Sequence, residues 1–254
     1  MPRPSYPQRP RAVYFFGTCL IDIFYPEAGL AGMALIEREG VEVLYPEDQS
    51  CCGQPAYNSG YAAEARAVAA RQIETFSDDI PIVVPASSCA ATMRFNYPEL
   101  FAGTPLQEAA ERFASRVFEL TEFLVEVLQI SLIDRGEPLR VANHVSCSAL
   151  RKLGVGDASV QLLNQLHAVT LVEQSRAREC CGFGGTFAVK HAEVSAAMVA
   201  DKADALEQAD AQLVVGGDCG CLMNIDGHLR KRNSSLGCKH IAQLLWERSQ
   251  DEQL

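Results

Sequence analysis

Cys51-Cys52-Gly53 and Cys180-Cys181-Gly182 are the stretches that decide the fold: each is a pair of adjacent cysteines followed by glycine, set between an upstream and a downstream cysteine. The upstream partners are Cys19 and Cys147; the downstream ones are Cys89 and the Cys219/Cys221 pair. In the first set 31 residues separate Cys19 from Cys51 and 36 separate Cys52 from Cys89; in the second the intervals are 32 and then 37 or 39. Equivalent cysteines therefore lie 128 to 132 positions apart, a register that scattered cysteines would not keep. The chain reads as two copies of one unit.

Working outward from each triplet, the same signals recur in the same order. Ala12 to Phe16 is a short apolar run ending at Gly17, which predicts a buried strand and a turn, with Cys19 just past its end. Pro26 opens a helical stretch that Gly40 stops, and Val41 to Tyr45 predicts a strand leading into the Cys51-Cys52-Gly53 loop. Tyr61 to Phe76 predicts a helix and Ile82 to Val84 a strand, after which comes Cys89. In the second half, strands are expected at Arg140 to Asn143, Ala168 to Val172 and Gln212 to Val215, ahead of Cys147, Cys180 and Cys219/Cys221.

This alternation predicts an α/β chain of two tandem pseudo-repeated domains, each a small, mostly parallel sheet with crossover helices. Ligands in such sheets gather beyond the carboxyl ends of the strands, where the cysteine loops should meet. Gln107 to Gln129 carries apolar residues at helical spacing (Phe113, Val117, Leu120, Leu124, Leu128) and predicts one helix packed across the domain junction. The turn-like run Asp134 to Pro138 then sets the boundaries: a flexible Pro-rich arm at 1–11, a first domain at 12–135 and a second at 136–254.

Composition narrows the function. A net charge of -10, with no basic cluster larger than Leu229-Arg230-Lys231-Arg232, argues against a nucleic-acid binder. Ten cysteines in 254 residues are too thin for a disulfide scaffold. The opening MPRPSYPQRPR has no apolar core of a secretory signal, and no run is long enough for a transmembrane helix. A cytoplasmic setting is the simplest expectation, and clustered thiols there favour metal or redox chemistry.

A tetrahedral metal or a cluster needs several thiolates aimed at one point, and loops fixed by a rigid sheet can supply them from distant positions. Glycine after the pair permits backbone angles that turn both sulfurs to one side. The candidate ligands are Cys19, Cys51, Cys52 and Cys89 in the first half and Cys147, Cys180, Cys181 and Cys221 in the second, with Cys219 as a fifth candidate. Cys238 lies outside the repeat and reads as an inert thiol. His144 could ligate or hydrogen-bond a cluster sulfur, but a satisfied loop histidine is the preferred reading. Gly182-Phe183-Gly184-Gly185 lacks the order of a dinucleotide loop. Arg151, Lys152, Lys190 and His191 could offset cluster charge or bind a carboxylate, with ordinary solvated charge preferred for each. No catalytic base can be assigned.

At these residues the sequence resembles the cysteine-rich CCG proteins, most closely the LutA/YkgE family of lactate-utilisation proteins. The strings that carry the resemblance are Cys51-Cys52-Gly53-Gln54-Pro55-Ala56 with Asn58-Ser59-Gly60-Tyr61, Ser146-Cys147-Ser148 with Arg151-Lys152-Leu153-Gly154, and Cys180-Cys181-Gly182-Phe183-Gly184-Gly185-Thr186-Phe187. Cys221-Leu222-Met223-Asn224-Ile225 and His240-Ile241-Ala242 complete it. More distantly the halves resemble cysteine-rich subunits of heterodisulfide reductase and the iron-sulfur subunit of glycolate oxidase. There each repeat ends in Cys-x-x-Cys, whereas here the ends are Cys89-Ala90-Ala91-Thr92 and Cys219-Gly220-Cys221.

The resemblance implies an iron-sulfur (4Fe-4S) electron-transfer subunit, part of an oxidoreductase system of the L-lactate dehydrogenase type that is not NAD-dependent and turns lactate into pyruvate. It implies companion LutB-like and LutC-like subunits. The alternatives are a catalytic cluster-bearing subunit and a zinc-stabilised scaffold that docks partners, since four thiolates suit zinc equally well.

Overall fold

The computed structural model describes residues 6–250 and divides into two compact units that part between Gln129 and Ile130. The first unit holds β1 (Ala12–Phe15), β2 (Glu42–Leu44), β3 (Ile82–Val84) and β4 (Val117–Glu119) in one all-parallel sheet of order β2-β1-β3-β4. The second holds β5 (Leu139–His144), β6 (Val169–Leu171), β7 (Leu213–Gly216) and β8 (Gly237–His240), all parallel, in the order β6-β5-β7-β8. The duplicated cysteine spacing is thus a duplicated topology, two α/β units built to one plan.

Each sheet has a fourth strand that the sequence reading did not anticipate. Gln107 to Gln129 is not one helix: a helix at Gln107–Ser115 ends, β4 pairs with β3, and a second helical stretch starts at Leu120. The apolar spacing runs unbroken because all three β4 residues are buried, so the strand shows no polar alternation to betray it. Glu119 ends the strand and starts the next helix, its carboxylate accepting from Thr121 and Glu122 N–H at 2.8 and 3.1 Å in a capping box with Glu122. His240 does the same after β8, paired with Gln243.

The turn at Asp134 belongs wholly to the second unit. Both Asp134 oxygens accept from Arg248, at 2.8 and 3.0 Å, and Gly136 lies so close to that guanidinium that a Cβ there would fall 2.4 Å from it. Residues 1–5 of the expected arm lie outside the described residues, while its remainder is anchored along the first unit. Arg9 donates to Glu39 and to the Leu128 carbonyl, both at 2.8 Å, and the Tyr6 hydroxyl donates to Glu122 at 3.1 Å.

An aromatic cluster holds the first unit together. Phe76 lies 5.2 Å from Tyr14, 5.7 Å from Phe16 and 6.3 Å from Phe113, and Phe113 stacks on Tyr97 at 5.4 Å. The second unit relies on small aliphatic residues (Ala142, Val199, Ala203, Leu206, Val214, Ile225), and Cys181 and Cys221 are part of that core.

Glu119 gives a pH prediction. Burial is the main cause that raises its carboxyl to about 7, against hydrogen bonds from Thr121 and Glu122 that favour the ionised form. Above the carboxyl's ordinary value near 4.5 the unfolded chain ionises while the folded chain still holds the proton, so stability should fall as pH rises from about 4.5 to about 7 and level off beyond. Urea unfolding of Glu119→Gln across that range should show this part of the slope flattened, with a difference on the order of 1–3 kcal/mol at neutral pH.

Candidate metal centre

In each sheet the central strand lies between its two successors, so strand order reverses beside it and the loops leave a crevice at the carboxyl edge. The cysteines enter that crevice from three strands. Cys19 opens the helix Cys19–Phe24 after β1, preceded by Thr18 at φ 53 whose Oγ1 accepts from Ile21 N–H at 3.3 Å. After β5, Ser146 takes the same role, its Oγ accepting from Ala149 N–H at 3.2 Å, and Cys147 follows.

The two triplets have one geometry. Gly53 and Gly182 sit at φ 83 and 84, in the left-handed region that glycine alone enters freely. Their N–H groups turn back on the first cysteine of the pair, reaching the Cys51 and Cys180 sulfurs at 3.5 and 3.4 Å. The carbonyl of the second cysteine is held from the core side: Tyr97 donates to Cys52 at 3.0 Å and Asn224 to Cys181 at 2.8 Å. In the first unit the aromatic cluster therefore fixes the loop through Tyr97.

Helix position identifies the fourth cysteine. Cys89 is the third residue of the helix Ser87–Ala91, and Cys221 is the third of Cys219–Lys231, while Cys219 occupies the place of Ser87. The thiols then form two matching runs. Cys19 is hydrogen-bonded to Cys51, Cys51 to Cys52, and Cys52 to Cys89 at 3.3 Å between sulfurs. Cys147 lies 4.0 Å from Cys180, which bonds to Cys181, which bonds to Cys221. In both runs the first two cysteines are half-buried and the last two buried, so each set reaches from the core toward the surface.

The charge distribution repeats as well. Hydrogen bonds from Cys19 and Cys52 hold Cys51 far below the ordinary thiol value, and bonds from Cys147 and Cys181 do the same for Cys180. The donors are pushed up in turn: Cys19, Cys52, Cys147 and Cys181 all hold their protons tightly, first through these bonds and then through burial. In each set one sulfur is drawn toward the thiolate form by its cysteine neighbours, and metal entry would expel the protons that the others still hold. Such donor sets fit a thiophilic metal or cluster.

His144 departs from the sequence expectation. It is the last residue of β5, fully buried, and neither ring nitrogen has a hydrogen-bond partner among the described residues. Burial lowers it to about 4, so the imidazole is neutral and able to donate a lone pair. One ring nitrogen and the sulfurs of Cys181 and Cys221 all lie within 4.8 Å of one another.

Arg151, Lys152, Lys190 and His191 are exposed, with Arg151 donating to the Arg178 carbonyl at 3.1 Å and His191 lying 5.2 Å from the Phe187 ring. The Gly182–Gly185 run is a turn in which Phe183 covers Gly220, where a Cβ would come within 2.5 Å of the ring. Cys238 stands on β8, and burial pushes it up to about 12.

Comparison with known proteins agrees with the duplicated fold. The family profile of the CCG cysteine-rich domain matches residues 13–94 and again 141–226. Lactate utilization protein A of Geobacillus kaustophilus is 44% identical over 92% of this chain and 98% of that protein, and that of Bacillus subtilis is 42% identical over the same shares. The chain belongs to the lactate utilization protein A family of cysteine-rich CCG proteins. The crystal structure of a hypothetical protein from Helicobacter pylori shares the fold, with a TM-score of 0.64 at 10% identity over 99% of this chain. This chain spans about half, 51%, of the length of that one.

Within this lactate utilization protein A family member, two residues beside the second centre escaped the sequence reading. Lys202 is buried on the inner face of the helix Ala192–Gln208 and bonds to the Gln174 side chain at 3.3 Å and to the Arg176 carbonyl. Burial lowers its pKa, while Glu179 and the thiols Cys181, Cys180 and Cys221 pull it back up. Gln72 takes the matching place in the first unit and donates to Ser50 at 2.7 Å. The legible signal was the spacing Ser195, Val199, Lys202: a lysine in step with a helix's buried face. Asn224 stood in one of the strings that carry the family resemblance, but nothing there marked its role.

Proposed function

We propose that this chain is an iron-sulfur electron-transfer subunit of a system that oxidises L-lactate to pyruvate. The observation that carries the reading is the pair of matched four-thiol sets, each with two buried and two half-buried sulfurs at the carboxyl edge of its own sheet. The relatives' shared name supports lactate as the fuel. An iron-sulfur centre bound there would accept and release single electrons. The chain's own residues would hold it: Cys51 and Cys180 as thiolates fixed by glycine N–H groups, Cys52, Cys89, Cys181 and Cys221 from the dry side, and Cys19 and Cys147 from the outer side.

Lactate must lose two electrons and two protons to become pyruvate, and that step calls for a two-electron acceptor such as a flavin. We assign that step to companion LutB-like or LutC-like subunits, in a cytoplasmic assembly. Among the described residues no helix is long and apolar enough to cross a membrane. The mixed trio His144, Cys181 and Cys221 favours a second reading, a zinc-stabilised scaffold, because nitrogen and sulfur donors together suit zinc.

Purification without oxygen separates the two: an iron-sulfur chain is brown and carries iron with sulfide, and a zinc chain is colourless. With its clusters intact, the isolated protein should show no lactate-dependent dye reduction above background and should gain it on adding the companion subunits. Steady turnover by this chain alone, abolished by Cys147→Ser, would instead make it the catalytic subunit.

A further inference from the structure

We propose that His144 is a metal ligand of the second unit, so that its centre is a mixed imidazole-thiolate site while the first unit's is thiolate only. The inference rests on the reading that the cysteine sets hold metal, without depending on which metal.

Three observations carry it. A fully buried imidazole whose two nitrogens both lack partners among the described residues is a rare arrangement, since folded chains satisfy nearly all such groups or give them another task. The group stands where a task is at hand, with one nitrogen, the Cys181 sulfur and the Cys221 sulfur mutually within 4.8 Å. The repeat then supplies an internal control. In the cysteine register of 128 positions His144 corresponds to Phe16, equally buried, so the fold accepts a purely apolar ring at this place and the nitrogens are not needed to build the sheet.

The consequence is a division of labour between the two centres. A neutral imidazole adds no negative charge to the ligand shell, and nitrogen ligation in iron-sulfur centres goes with higher reduction potentials. Lys202, buried within electrostatic reach of Cys180, Cys181 and Cys221, acts in the same direction, whereas the first unit has Gln72 there. Electrons entering the chain should settle on the second centre.

The test uses the full chain, stripped of metal without oxygen and titrated with cobalt(II). Its thiolate charge-transfer bands report sulfur ligands, and pulsed EPR of its electron spin reports directly bound nitrogen. A Cys51→Ser, Cys52→Ser variant removes the first set. Directly coordinated nitrogen is expected in the unaltered chain and in that variant, and it should vanish in His144→Phe, with second-site cobalt affinity falling about tenfold or more. His144→Gln is the companion variant should phenylalanine prevent folding, and it should lose the nitrogen signal equally. Absence of ligand nitrogen in the unaltered chain, or its survival in either His144 variant, overturns the assignment. Iron and sulfide content of protein purified without oxygen reads the iron-sulfur function separately. Iron present without ligand nitrogen refutes His144 alone; ligand nitrogen on cobalt in a chain that never carries iron refutes the iron-sulfur reading alone.

Discussion

Cys180→Ser is expected to remove one unit's share of bound iron, roughly half of the total, with its sulfide, and Cys51→Ser should remove the other share. Each of these sulfurs lies inside its run: Cys180 bonds to Cys147 and Cys181 and accepts from the Gly182 N–H, and Cys51 bonds to Cys19 and Cys52 and accepts from the Gly53 N–H. They are the sulfurs already drawn toward the thiolate form, the form that binds metal. A serine hydroxyl in the same place stays protonated and is a poor ligand. The double variant should hold almost no iron, and Cys238→Ser, on β8 and outside both runs, should hold the normal amount. Iron and acid-labile sulfide per chain, read beside circular dichroism to establish that the variants fold, is the measurement. Unchanged iron in both single variants would sink the ligand assignment.

Gly182→Ala should be far more damaging than Gly53→Ala, although the two glycines share a motif and a backbone conformation. Both sit near φ 84, where a side chain costs about 1–2 kcal/mol, so that part of the loss is common to the two variants. The surroundings differ. A Cβ on Gly182 would meet the Ser195 carbonyl oxygen at 2.8 Å and Met198 at 3.0 Å, both on the helix Ala192–Gln208, whereas a Cβ on Gly53 would clear the Ala65 carbonyl at 3.5 Å. The helix in the second unit must shift or the cysteine loop must rise, adding about 1–3 kcal/mol. Cys180 and Cys181 would move with the loop, so Gly182→Ala should also lose the second unit's metal. Denaturant midpoints and metal content of the two variants check this, and equal losses would show that the backbone angle alone sets the cost.

The parallel α/β plan was legible because it is written in local signals. Short apolar runs each end at a cysteine loop, the loops recur in register, and right-handed crossover connections leave few other ways to join the strands. The eight-cysteine constellation was legible for the same reason, since a loop at a strand's carboxyl end must face the crevice. β4 was not, because a three-residue strand buried on both faces has no period of its own and borrowed that of the helices beside it. β8 was hidden by the opposite cause: Gly237-Cys238-Lys239-His240 is too polar to read as a strand and is one only because β7 offers it a partner.

The sequence by itself determined that there are two units and that glycine follows each cysteine pair, because spacing along a chain and residue type are enough to state those facts. Only the tertiary structure decided that Cys221 and not Cys219 matches Cys89, through the place each takes in its helix. It alone decided that His144 is buried beside two thiols with neither ring nitrogen paired among the described residues, and that Lys202 is buried within electrostatic reach of the same thiols. Those outcomes depend on which side chains share a volume after β5, β7 and the helix Ala192–Gln208 have packed, and contacts between residues that far apart in sequence leave no period or motif to read.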